Sequence, residues 1–235
     1  MRKEKRKVKA SAIALLIVLL MFSACAGSAN TLLSATEDEM IYAIRLMLSE
    51  VCNRAFADLK IMISEYSFIP PEIEILDNYK ETVPGLKDIL GKWKEDITDS
   101  FLNNSKTLEN NLKSIISEVN IKNPENIVSS NTKSGSLMLA TNCYPQILQC
   151  FITFINEHIL YLKQAINQFN IYVSTNNRIS NTDMESIKLT EQEVNRIISD
   201  NLCNNLLNYF IKNEDLYRTT PNSSNPKIIR QVFNI

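Results

Sequence analysis

An all-α fold, a single irregular bundle of about six to eight helices, is what this chain of 235 residues predicts. Three observations point there. Apolar residues recur at i, i+3, i+4 and i+7 through most of the chain, the period of a helix with one buried face. Glycine is limited to four residues, too few for the tight turns of hairpin-rich sheets or for a phosphate-cradling loop. Helix-start signatures of the form Thr-x-x-Glu appear at Thr36, Thr182 and Thr190.

The chain opens on Arg2, Lys3, Lys5, Arg6, Lys7 and Lys9, then an uncharged run from Ala10 to Phe22, then small residues from Ser23 to Ala29. This is the layout of a secretory signal peptide, and the run is shorter than the roughly 20 residues a spanning helix needs. Phe22-Ser23-Ala24-Cys25 resembles a lipobox, which places the signal at 1–24, lipidation on Cys25 and a flexible tether at 25–35. Ala24-Cys25-Ala26 and Gly27-Ser28-Ala29 equally suit ordinary cleavage, so a soluble exported product stays open beside the favoured lipoprotein. The first ten residues hold six of the 25 basic residues and one acid, Glu4. The remainder carries 19 basic against 25 acidic residues, a net charge of −6. A body of that sign is unsuited to nucleic acid, whose binding runs on clustered Lys and Arg.

Residues 36–235 read as one helical domain. Thr36 caps a helix that runs to about Ile63, with Ile44, Met47, Leu48, Val51 and Cys52 on its inner face. Phe68-Ile69-Pro70-Pro71 breaks the chain, a short helix covers Glu72 to Tyr79, and Val83-Pro84-Gly85 breaks it again. From Leu86 to Val119 the helical spacing predicts two helices interrupted near Asn103 to Ser105. Asn120 to Gly135 reads as a connection with one turn at Pro124 to Val128. Pro145 then suits the first turn of a long apolar helix whose seam is Leu148, Phe151, Ile155, Ile159, Leu162, Ile166 and Phe169. Thr182 and Thr190 each begin a further helix, the last with Val194, Ile198, Leu202 and Leu206 on one face.

Residues with chemical potential have plainer explanations. Of Cys52, Cys143, Cys150 and Cys203, the first and the last two sit near apolar helical faces and read as buried thiols, with disulfides as the alternative in an oxidising compartment. His158 is the only histidine and reads as a boundary residue beside an apolar seam. No Cys or His spacing suits a metal, and no motif calls for a cofactor. Trp93 reads as a core anchor, and Glu95, Asp96, Asp99 and Glu109 as surface partners of Lys92, Lys94 and Lys106.

The stretch from Thr190 to Phe233 carries the most pattern. Its helix ends in Glu214-Asp-Leu-Tyr-Arg218, Pro221 stops it, and Ile228-Ile229-Arg230-Gln231-Val232-Phe233 closes the chain. Spaced by four, Glu214 and Arg218 suit helix pairing, and Phe233 is expected to fold back as a plug. With Glu214, Arg218, Pro221, Val232 and Phe233 at matching positions, the stretch resembles the C-terminal signature of the bacterial domain-of-unknown-function family 4197. It carries Asn204-Asn205 where that family has Asp-Gly. The resemblance implies an exported, mainly helical protein, often a lipoprotein, with no known catalytic residue, cofactor or substrate.

The functional expectation is therefore a non-catalytic binding module of the bacterial envelope or periplasm, held to a membrane by its lipid. Its partner would be an envelope protein or a small apolar ligand, and not nucleic acid. A carboxylate-dependent hydrolase, with Glu214 the foremost candidate, and a purely structural envelope component are the alternatives.

Overall fold

The computed structural model describes residues 35–130, 133–220 and 224–235, so Cys25 and Pro221 lie outside the described residues. Two units are distinguished along the chain, Met1–Glu39 and Met40–Ile235. The described residues form eight α-helices and no strand: α1 Glu37–Ser64, α2 Pro71–Tyr79, α3 Leu86–Glu118, α4 Pro124–Ser129, α5 Ser134–Glu157, α6 Leu160–Ser180, α7 Glu191–Thr219 and α8 Lys227–Phe233.

Helix α1 starts where the sequence predicts. Thr36 Oγ1 accepts from the Glu39 N–H (3.3 Å) while the Glu39 carboxylate accepts from the Thr36 N–H (2.8 Å). Together these satisfy two donors that a helix start leaves orphaned. From Ala43 to Ile63 the helix buries eleven residues, almost all without exposure. It contacts α3 through Phe56 stacked on Phe101 at 6.4 Å, and α7 through Asp58, which accepts from Asn213 at 3.0 Å. The most extensive packing elsewhere pairs α5 with α7 and α3 with α6, while α2 sits on α3 and α6 and α8 on α4.

Four local expectations are corrected. The stretch Leu86–Glu118 is one helix of 33 residues, unbroken at Asn103 to Ser105. Asn104 Nδ2 and Ser105 Oγ donate to the carbonyls of Ser100 and Leu102 instead of drawing the backbone out of the helix, and Phe101, Ser105 and Leu108 are buried on either side. Pro145 lies inside α5 rather than at its start, because packing on α7 extends that helix back to Ser134. The long apolar seam is divided: α5 ends at Glu157, with His158 as C-cap, and α6 begins at Leu160. Finally, Thr182 starts no helix. Residues 181–190 are irregular, held by Asn177 Oδ1 accepting from Met184 N (3.0 Å) and Asn170 Oδ1 from Ile187 N (2.8 Å).

Scarce glycine is offset by asparagine. Of the four non-glycine residues with positive φ among the described residues, Asn123, Asn181 and Asn234 are three, and each ends or precedes a helix. Asparagine tolerates the left-handed region at the least cost after glycine.

Candidate functional site

Glu214 is fully buried and the Arg218 side chain is 5% exposed. Their carboxylate and guanidinium are brought together by the i, i+4 spacing on α7, with Arg218 Nε donating to Glu214 Oε1 at 2.9 Å. Arg218 Nη2 lies 2.7 Å from the same oxygen, an ion-pair contact without hydrogen-bond alignment.

What surrounds the pair explains its burial. Helix α5 begins after Lys133, which gives it no side-chain cap. In place of a local cap, Glu214 Oε1 accepts from the Gly135 N–H (3.1 Å) and Oε2 from the Ser136 N–H (2.5 Å). A carboxylate from another helix thus meets the orphaned donors and the positive end of the α5 dipole. Arg218 Nη1 donates to the carbonyls of Ile127 (3.0 Å) and Ser130 (2.8 Å) at the end of α4, where acceptors are orphaned in turn. Ser134 Oγ also donates to Ile127 O, at 3.1 Å. The Phe233 ring from α8 closes over the guanidinium, 4.5 Å from its carbon to the ring centroid.

Gly135 lets the carboxylate approach. A Cβ there would stand 3.1 Å from Glu214 Oε1, 3.3 Å from Oε2 and 3.3 Å from the Met47 terminal carbon. One of only four glycines in the chain, between two serines, was the available signal. The carbonyls of Ile127 and Ser130 carry no such signal, because any residue type supplies a carbonyl.

The sequence-selected residues therefore divide. Glu214, Arg218 and Phe233 meet at one point, beside a cavity of about 150 Å³ lined also by Val128, Thr219 and Ile235. Val232 is half-buried on the core. The pair ties α4, α5, α7 and α8 together, and Glu214 has both oxygens engaged.

His158 Nδ1 lies 3.1 Å from Asp96 Oδ2, and its ring centroid is 5.0 Å from that of Phe154, which fixes the break between α5 and α6 against α3. Trp93 is buried, edge-on to Phe68 at 5.7 Å. Glu109 is largely enclosed between Lys106 (2.8 Å) and Lys113 (2.7 Å), and Lys94 pairs with Asp77 of α2 at 2.8 Å. All four described cysteines are free. Cys52, Cys143 and Cys203 are buried, Cys150 is half-buried, and burial pushes the Cys52 and Cys203 thiols up to about 12, far from thiolate reactivity. Among the described residues no three His, Cys, Asp or Glu side chains are placed to hold a metal, and no helix is long and apolar enough to cross a membrane.

A second feature was not anticipated. Helices α3 and α5 run antiparallel with a seam open to solvent. At one end a cavity of about 330 Å³ is lined by Asn104 to Asn111 of α3 and Gln146 to Glu157 of α5. At the other a cavity of about 730 Å³ is lined by Ile115 to Lys122 and by Met138 to Gln146, so Gln146 belongs to both. Asn111, Gln146 and Gln149 are exposed in it. The sequence shows these amides but not that the two helices are neighbours. The chain matches no protein-family profile, no curated protein and no solved structure.

Proposed function

We propose that this chain is an exported, lipid-anchored protein of the bacterial envelope that works by binding rather than by catalysis. The observation that carries the reading is the seam between α3 and α5, whose two cavities of about 330 and 730 Å³ are in the size range of binding clefts. Export and anchoring rest on the leader and on Cys25, in keeping with the resemblance of the C-terminal stretch to domain-of-unknown-function family 4197. The hydrolase alternative is weakened by the engagement of Glu214 with Gly135, Ser136 and Arg218, which leaves its carboxylate no face towards a substrate.

Two measurements test this. Palmitate labelling of producing cells should mark the wild type and not Cys25→Ala; label retained in the variant would remove the anchor. A photo-crosslinking residue at Asn111, exposed in the seam, should give discrete adducts in the envelope, whereas one at Asn204, exposed on α7, should not. Equal adducts from both positions would remove the seam.

A further inference from the structure

We infer that the α3–α5 seam binds an extended, uncharged polypeptide segment by reading its backbone. The inference rests on the binding proposal above and names its partner class.

The seam is long and narrow in chemistry. From Asn104 to Glu118, α3 advances fourteen residues, about 21 Å at 1.5 Å per residue. An extended chain covers that length with about six residues at roughly 3.3 Å each. Charge is confined to the ends, with Glu157 at one and Glu118 and Lys122 at the other; among the described residues, none lining the stretch between is charged. This occurs in a chain in which 22% of residues are charged, so the neutrality of the middle disfavours charged occupants.

The walls are amides and hydroxyls over an apolar floor. Asn104, Thr107 and Asn111 stand on α3, facing Gln146, Gln149 and Thr153 on α5. Leu108 and Phe154, each under 10% exposed, lie beneath them. A carboxamide offers a carbonyl acceptor and two N–H donors, the complement of a peptide unit, which carries one of each. Asn104 and Asn111 are seven residues apart, as are Gln146 and Thr153. That is about 10.5 Å of helix, against about 10 Å for three residues of extended chain. On each wall one of the pair also bonds within its own helix, Asn104 Nδ2 to Ser100 O and Thr153 Oγ1 to Gln149 O, so Asn111 and Gln146 are the carboxamides whose donors and acceptor are left for a peptide unit.

The test uses the full chain without its leader and a positional-scanning library of fluorescent, end-blocked octapeptides made from Ala, Ser, Thr, Val, Asn and Gln. Binding is read by polarisation. Members of this library should bind, and alternate Lys or Glu should abolish binding, as should N-methylation of the backbone. Asn111→Leu and Gln146→Leu should each weaken binding about fivefold to tenfold, the worth of one hydrogen bond, with melting temperature unchanged because both residues are exposed. Tighter binding of the charged peptides, or binding unaffected by both substitutions, overturns the inference. Chitotetraose serves as a neutral glycan control. If it binds in the seam and the peptides do not, the peptide assignment falls while the binding proposal stands. If the peptides fail while the Asn111 crosslinker still labels, the outcome is the same. If no probe binds and that crosslinker is silent, both fall.

Discussion

Glu214 and Arg218 are the residues on which most depends, because each satisfies groups that the other cannot reach. Removing Glu214 strands a guanidinium that is 5% exposed and leaves the Gly135 and Ser136 N–H groups without an acceptor. Breaking one partner of a buried pair costs about 3–5 kcal/mol, so Glu214→Ala should lower unfolding free energy by that amount in urea titrations. The double variant Glu214→Ala with Arg218→Met should recover part of the loss, since the uncompensated charge is gone. A double variant no more stable than Glu214→Ala would show that the carbonyl bonds of Arg218, not the ion pair, hold this junction. The i, i+4 pairing itself was legible in the sequence. Its burial was not, because the four groups that complete it come from Ile127, Ser130, Gly135 and Ser136, about 80–90 positions away in the chain.

At the scale of elements, local signals succeeded where they act on the backbone directly. The Thr190 capping box is present, with Thr190 Oγ1 accepting from the Glu193 N–H and the Glu193 carboxylate accepting from the Thr190 N–H. The same signature at Thr182 produced no helix, because the Asn170 and Asn177 side chains tie the Ile187 and Met184 N–H groups to α6. Pro145 shows the converse, a helix breaker carried inside a helix by the packing of α5 on α7. Since the residue is exposed, Pro145→Ala should stabilise the protein by about 1–3 kcal/mol, the difference in helix propensity, measured as a higher midpoint in urea. No gain would mean that the backbone around Thr141 has already found other donors.

Across the whole molecule, charge pairs within and between helices set the response to acid. Burial raises the Asp77 pKa, but hydrogen bonds and charges from Lys94 and Lys80 outweigh it and hold the carboxyl below its ordinary 3.8. Glu109 behaves alike: burial raises it, while Lys106 and Lys113 bring it below 4.5. A carboxyl lowered in the folded state stabilises it fully above the unfolded pKa and loses that contribution as pH falls through the folded one. Stability should therefore be level from neutral pH to about 4.5 and then decline. Asp77→Asn should flatten the decline in acid-unfolding curves, and an unaltered slope would exclude the Asp77–Lys94 contact between α2 and α3 as a contributor.

The sequence by itself determined the all-α class, most helix boundaries set by Pro, Gly85 and Thr caps, the buried faces and the burial of Cys52 and Cys203, while Cys150, read the same way, is half-buried. Each follows from the 3.6-residue period or from the backbone chemistry of a single residue. Tertiary structure alone decided that Leu86–Glu118 stays whole, that α5 runs through Pro145 and turns at His158, and that Glu214 caps a helix other than its own. It also decided that the amides of α3 and α5 face one another across an open seam. These depend on which helices become neighbours, and that choice is made by packing summed over the whole core, which no local stretch encodes.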